Sequence, residues 1–467
     1  MVIKSHLLSI TVALGMMACG SSNSEADTSS FPLQPPKVAI IGVDGATFSV
    51  IHPLLEQGRL PHLAALMERG TSVILRSSDE SGASPVLWNT LMTGTGMDTH
   101  GIASFSKRVE NGFEIYASTD RKVPALWNMV SSRSRTVGVL GIWNTWPAES
   151  VRGYILSDRF SHTLFKHNYE MREEEAPEGI SFPSELAAQF GHLVRDPAAL
   201  TKEEIERFGA FTDAEWETMM HTDESQPLVG NGLAALRFGY LAQESIGAAS
   251  VALLNELPQP DLFITFLELP DRVGHHFWHT WRPEEVRGGG DEVDSSWRER
   301  WGEVIPQAYS MTDVWIGKIV QSLDPDTTIF VISDHGMKSS GDSGGRATDL
   351  AGLGHSGTHH QDGILIAAGP SIEGRVDVRA ELLDVAPTVL AAMGLPGSTQ
   401  FEGKVLAPLF KPSFVQAFPL GRFLDEEALQ DREAVPAGDI DEALLEQLKA
   451  MGYIDASGES IWDRDQR

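Results

Sequence analysis

Four stretches of this chain are nearly unbroken apolar runs: KVAIIGV (Lys37 to Val43), DLFITFLEL (Asp261 to Leu269), TTIFVIS (Thr327 to Ser333) and GILIAA (Gly363 to Ala368). A strand with one wet face alternates polar and apolar residues. Continuous runs of this length, bounded by turn residues, belong to strands buried on both faces, as in a parallel sheet covered on each side. Two shorter runs, Ser72 to Leu75 and Thr136 to Ile142, read the same way. Between them lie stretches with apolar residues at helical spacing: Leu54 to Arg69, Ala308 to Leu323 and Leu382 to Leu395. Strands alternating with helices predict an α/β fold with a mainly parallel central sheet.

The ends of these runs carry chemistry. The first stops at Asp44-Gly45, the second at Pro270-Asp271 with His275 four residues on, and the third at Asp334-His335-Gly336. The fourth is preceded by Thr358-His359-His360. Open α/β sheets place their sites beyond the carboxyl ends of the strands, where these residues fall. Only Gly42 and Gly45 flank the first turn, so it is not a dinucleotide fingerprint. Carboxylate and imidazole together suit zinc first, then manganese or iron.

The stretch Ser81 to Ile102 (SGASPVLWNTLMTGTGMDTHGI) adds a hydroxyl. Small residues and Ser84-Pro85 precede a helix-like segment that stops at Thr93-Gly94. A hydroxyl on a tight turn before a helix is exposed as a nucleophile, and the free N–H groups of the helix start favour a bound anion. Taken alone the pattern fits an ordinary helix capped by Ser84 better than a nucleophile turn.

Composition narrows the partners. The formal charge of −29 speaks against nucleic acid or an anionic membrane face, and a phosphate site here needs its own positive charge. A single cysteine, Cys19, rules out disulfides within the chain. Lys4, the apolar run Leu7 to Met17 and Met17-Ala18-Cys19-Gly20 resemble a bacterial lipoprotein leader, too short to span a bilayer. The expected organisation is a leader over 1–18, a tether over 19–36 with Cys19 lipidated, a catalytic domain over 37–410 and an extension over 411–467. The protein is then exported to the cell envelope and touches the membrane by its lipid alone. Between 161 and 249 charged helical patterns, such as Ala198 to Arg207 and Asp213 to Met220, replace strand-like runs, which predicts a helical cap insertion or a structural excursion at the sheet edge.

The stretches VAIIGVDGAT, SPVLWNTLMTG with HGI behind it, LELPDRVGHH, IFVISDHGM, GTHHQDGILIAAGP and DVAPTVLAAMGLP resemble, in order, the alkaline phosphatase superfamily and its type I phosphodiesterase/nucleotide pyrophosphatase branch. The resemblance implies a three-layer sandwich with a helical cap. It implies two divalent metal ions, one held by Asp44, Asp334, His335 and Ser84, the other by Asp271, His275 and His359. His276, His355 and His360 compete for these places. Ser84 takes the nucleophile position, and a covalent phosphoseryl intermediate follows. The substrate is a small phosphate ester, a diester or pyrophosphate first, a monoester or phosphonate next. The family's usual asparagine after His-Gly-Ile is replaced here by Ser104-Phe105. A sulfatase of the same superfamily needs Cys or Ser followed by x-Pro-x-Arg, which Ser84-Pro85-Val86-Leu87-Trp88 does not offer. A lipid-anchored binding protein without turnover is the remaining alternative.

Overall fold

The computed structural model describes residues 35–77, 82–110, 112–161, 178–221, 232–285, 295–340 and 356–425. The expected leader, Cys19, His355 and the helical pattern over Ile440 to Met451 lie outside the described residues.

The strands in chain order are β1 Val38–Val43, β2 Thr71–Arg76, β3 Ser106–Val109, β4 Gly112–Ile115, β5 Val137–Leu140, β6 Gly153–Leu156, β7 Ser181–Phe182, β8 Leu262–Leu267, β9 Thr328–Ile332, β10 Gly336–Ser339, β11 Gly357–His360, β12 Asp362–Ala368, β13 Ala380–Glu381, β14 Gly397–Ser398 and β15 Phe423–Leu424. Nine of them form one sheet in the order β13-β2-β12-β9-β1-β8-β5-β6-β7. β1 lies at its centre, parallel to β8 on one side and β9 on the other. β5 runs parallel to β8 and β6. β12 is the exception near the centre, antiparallel to both β9 and β2. β9 ends at Ile332, the antiparallel pair β10–β11 follows, and β12 re-enters the sheet from the same edge. The detour has a consequence for the site, because a residue placed before β12 meets residues placed after β9.

The helices are α1 Phe48–Glu56, α2 Pro61–Glu68, α3 Ser84–Thr93, α4 Met97–His100, α5 Leu126–Ser132, α6 Glu185–Phe190, α7 Lys202–Glu206, α8 Asp213–His221, α9 Gly232–Glu256, α10 Leu269–Trp281, α11 Ser295–Trp301, α12 Val304–Ser322, α13 Val385–Ala392 and α14 Pro412–Ala417. They cover both faces of the sheet. Ala39, Ile41 and Val43 of β1 join one core with residues of α1, α2, α9, α10 and α12. On the other face, a Cβ at Gly42 would lie 2.6 Å from the ring of Trp88 on α3, so glycine lets that indole lie against the strand. α3 in turn packs on α13. Every residue of β1, β8 and β9 is buried, as the unbroken runs predict. The mainly parallel three-layer α/β sandwich is the observed fold.

Three expectations need correction. The pattern over Leu54 to Arg69 is not one helix: Gly58 adopts φ +69° and Pro61 starts α2, so the chain breaks and restarts. The apolar spacing runs through the break because both helices bury the same side. The expected cap boundary at 249 cuts through α9, whose 25 residues run to Glu256 and pack against β8, α10 and α12. The segment after Pro412, expected only as an extension, begins with α14, which buries Phe414, and continues to β15, which pairs with β14. Among the described residues no helix is long and apolar enough to cross a membrane.

Candidate metal centre and nucleophile

Asp44 leaves β1 one residue past its end, and its N–H bonds to Leu267 O of β8 at 2.9 Å. The next residue turns with φ +66° and lies so close to Asp271 that a Cβ there would sit 2.9 Å from the aspartate Cα, so Gly45 is required twice over. Asp271 and His275 are four apart on α10, one turn of the same face. Asp334 and His335 follow β9, and His359 lies on β11.

These groups meet. Asp271, His275 and His359 offer ligand atoms that all lie within 4.8 Å of one another, and so do Asp44, Asp334 and His335. The two sets are contiguous. His335 Nε2 stands 3.3 Å from Asp44 Oδ1, 3.6 Å from Asp334 Oδ2 and 3.8 Å from Asp271 Oδ1. Asp271 Oδ1 lies 3.3 Å from His275 Nε2 and 3.6 Å from His359 Nε2. The rings of His335 and His359 stack with centroids 3.6 Å apart. All six residues are at most 3% exposed.

The three imidazoles share one device. Nδ1 of His335 faces Gly336 O at 3.0 Å, that of His275 faces Gly357 O at 3.2 Å, and that of His359 faces Gly82 O at 3.3 Å. A carbonyl only accepts, so each Nδ1 carries a proton and each Nε2 is turned to the cluster. Metal-bound histidines are oriented in this way, the far nitrogen donating to a backbone carbonyl or carboxylate.

The electrostatics call for added positive charge. Burial and the neighbouring Asp44 push the Asp334 carboxyl well above its ordinary range. Burial alone would lower His335, but Asp334, Asp44 and Asp271 outweigh it and raise it to about 10. Burial acts against ionised Asp271 as well, yet His275, His335 and His359 hold its carboxyl below the usual range. Burial, His335 and His275 push His359 well down. Asp44 Oδ1, both oxygens of Asp334 and His335 Nε2 are buried without a hydrogen-bond partner among the described residues. Buried charge is stable only when paired or when it coordinates metal. Three carboxylates sharing imidazoles, with four polar atoms left over, fit divalent cations.

Ser84 is the first residue of α3 and is buried. The cap position belongs to Ala83, which makes no side-chain cap bond, so the hydroxyl of Ser84 is not a helix cap. Gly82, two residues upstream, supplies the carbonyl that orients His359, which anchors the Ser84 turn to the cluster. The competing histidines fall elsewhere. Strand alternation sends His360 away from His359, half-exposed beside Asp362. His276 is buried on α10 outside both ligand groups. Trp278 lies in the core and donates to Glu285. Arg282 lies over Trp281 and donates to Ser49 O. Ser104, in place of the usual asparagine, is buried with no hydrogen-bond partner for its hydroxyl among the described residues.

Sequence reading missed the groups that hold the ligands: Gly82, Gly336 and Gly357 by their carbonyls, and the hydroxyls of Ser333 and Tyr309. Glycine carbonyls carry no side-chain signal, and Tyr309 meets its partner Thr47 across 262 residues of chain.

The model of the type I phosphodiesterase/nucleotide pyrophosphatase family matches residues 38–389. A comparison with curated proteins finds no match. Among solved structures, a phosphonoacetate hydrolase from Sinorhizobium meliloti 1021 in complex with phosphonoacetate is 17% identical, with a TM-score of 0.38 over 66% of this chain. This chain spans only 58% of that protein's length. Human ectonucleotide pyrophosphatase/phosphodiesterase 5 is 12% identical, with a TM-score of 0.43 over 82% of this chain and 99% of its own. A 2-O GAG sulfatase, BT1596, is 14% identical, with a TM-score of 0.47 over 80% of this chain and 74% of its own.

Proposed function

The chain belongs to the type I phosphodiesterase/nucleotide pyrophosphatase family, and from that premise we propose that it hydrolyses phosphate esters, a diester or pyrophosphate first, with Ser84 as nucleophile beside two divalent metal ions. Asp44, Asp334 and His335 with Ser84 would hold one ion, and Asp271, His275 and His359 the other. Zinc ranks first for this mixture of imidazole and carboxylate, manganese or iron next. The observation that carries the reading is the shared orientation of the three imidazoles, each Nδ1 on a backbone carbonyl and each Nε2 turned to buried carboxylates. When bound, the ions supply Lewis acidity, which lowers the pKa of a nearby hydroxyl and neutralises phosphoryl charge.

In this reading Ser84 Oγ gives up its proton to a solvent water and attacks phosphorus. The P–O bond to the leaving group breaks, and the departing oxygen takes a proton back from solvent as it leaves. A phosphoseryl ester remains. Water then attacks the same phosphorus, the bond to Ser84 Oγ breaks, and the hydroxyl is restored. Burial of Ser84 and of the six acidic and imidazole groups keeps bulk water from competing for the first step.

The other readings follow from the sequence. Small phosphate esters suit a chain of net charge −29, and nucleic acid does not. Cys19 would carry the lipid that tethers the exported protein to a membrane of the cell envelope. Replacement Cys19→Ser then releases the protein from the membrane fraction, and retention there would contradict the anchor.

The direct test is cleavage of bis-p-nitrophenyl phosphate by the zinc- or manganese-loaded protein. Ser84→Ala lowers the rate by roughly 10³-fold or more, as loss of a nucleophile does. An unchanged rate rules out Ser84. A wild-type protein that cleaves no diester, monoester, pyrophosphate or phosphonate after loading is a binding protein instead.

A further inference from the structure

We propose that Ser333 and Tyr309 are positioning residues that clamp the turn carrying Asp44 against the strand end carrying Asp334 and His335, and so set the affinity of that metal site separately from the other. The inference rests on the two-metal reading above.

The turn after β1 holds itself poorly. Its own hydrogen bond, from Ala46 N–H to Val43 O, is 3.4 Å long. Beyond the Asp44 N–H bond to Leu267 O at 2.9 Å, the shorter bonds to the turn come from two hydroxyls distant in sequence. Ser333 Oγ accepts the Ala46 N–H at 2.9 Å and donates to His335 O at 2.6 Å. It therefore ties the Asp44 turn directly to the peptide of His335. Tyr309, on α12, accepts the Thr47 N–H at 3.1 Å and aims its own proton at Gly45 O, 3.4 Å away. Each hydroxyl both donates and accepts. Ser333 is fully buried and Tyr309 is 4% exposed, so water cannot take their places once they are removed.

The clamp acts mainly on one ligand set, although Gly45, which Tyr309 holds, also packs against Asp271 of the other. Asp44, Asp334 and His335 all sit on the two backbone segments that Ser333 joins. The other set is held by different bonds: the His275 Nδ1 proton goes to Gly357 O, and the Ser356 N–H goes to His275 O at 2.8 Å. Neither bond touches Ser333 or Tyr309. Three carboxylates crowd this cluster, and like charges drive them apart unless the backbone resists. The hydroxyls supply that resistance where the turn's own hydrogen bonding is weak.

Supporting shells of this kind typically change metal affinity by 10–100-fold. The test titrates zinc into the metal-free full chain, using calorimetry and competition with a chromophoric chelator. Wild type binds two ions. Ser333→Ala and Tyr309→Phe each bind one ion as wild type does and the other roughly 10–100-fold more weakly, and the lost buried hydroxyl lowers the metal-free melting temperature of each only modestly. Raising zinc restores phosphodiesterase activity to both variants, which a general loss of structure would not allow. Two ions bound at wild-type affinity in both variants overturn the clamp. So does parallel weakening of both sites. If Ser333→Ala does not fold, Tyr309→Phe alone decides by the same criteria. A wild type that binds no zinc removes the metal centre itself, an outcome distinct from failure of the clamp.

Discussion

Two buried charged clusters in this molecule are built on opposite principles. Around Arg121 and Glu149 each charge has its counterpart. The guanidinium contacts Glu149, donates to Val123 O at 3.3 Å and Asn128 Oδ1 at 3.3 Å, and lies 4.9 Å from the Trp127 ring centroid. The carboxylate also accepts from Trp127 Nε1 at 2.7 Å and Asn128 Nδ2 at 3.0 Å. Around Asp44, Asp271 and Asp334 three carboxylates share imidazoles, and among the described residues four polar atoms of Asp44, Asp334 and His335 lack hydrogen bonds. The first cluster is complete as protein. The second is incomplete, and its residues form two candidate metal-binding groups. Buried polar residues alone do not mark a site. A buried imbalance does.

The contrast breaks most visibly at Glu149. Glu149→Ala leaves the buried guanidinium without its carboxylate and lowers stability by about 5 kcal/mol, the upper range for one half of a buried pair, with or without metal. Urea denaturation of loaded and metal-free protein measures it, and a loss confined to the loaded form would erase the distinction between the clusters.

Metal removal acts on the other cluster alone. At free zinc a thousandfold above Kd, chelation removes about 4 kcal/mol per site. Scanning calorimetry with and without chelator should show a lower melting temperature and lost hydrolysis, and identical traces would contradict a metal centre.

Asp158 is an intermediate case that sharpens the comparison. It accepts from the backbone N–H groups of Asn144 and Trp146 at 2.9 Å each, yet burial raises its carboxyl to about 6. Its folded value lies above the unfolded one, so the native state binds the extra proton between them. Stability is therefore greatest below about pH 4 and falls as pH rises through 6, by about 3 kcal/mol from this group. Asp158→Asn flattens that part of the pH–stability curve, and an unchanged slope would mean that the hydrogen bonds offset burial fully.

The smallest effect has the opposite sign to Glu149→Ala. In metal-free protein Asp334→Asn replaces a carboxyl whose ionisation burial and Asp44 oppose and raises stability by about 1 kcal/mol, while abolishing the gain from zinc at that site alone. A destabilised metal-free variant would indicate that the cluster balances itself without cations.

Much of this was legible in the chain. Unbroken apolar runs in β1, β8, β9 and β12 announced strands covered on both faces, and an acid or imidazole at each run's edge announced the site. Short elements were not legible. β6 and β7 are brief, and α1 and α2 share one apolar side across the Gly58 break. Paired histidines at 275–276 and 359–360 left the ligand open, since neighbours in sequence carry the same chemical signal. Their orientation separates them: His359 enters the cluster while His360 faces Asp362 at the half-exposed edge.

By itself the sequence determined the layered α/β class and the residue types offered to a candidate metal site, because burial on both faces and ligand chemistry are properties of local composition. Only the tertiary structure decided which groups share a site and which nitrogen each histidine presents. Those outcomes depend on backbone carbonyls and hydroxyls brought together from segments as much as 287 residues apart, as Ala46 and Ser333 are.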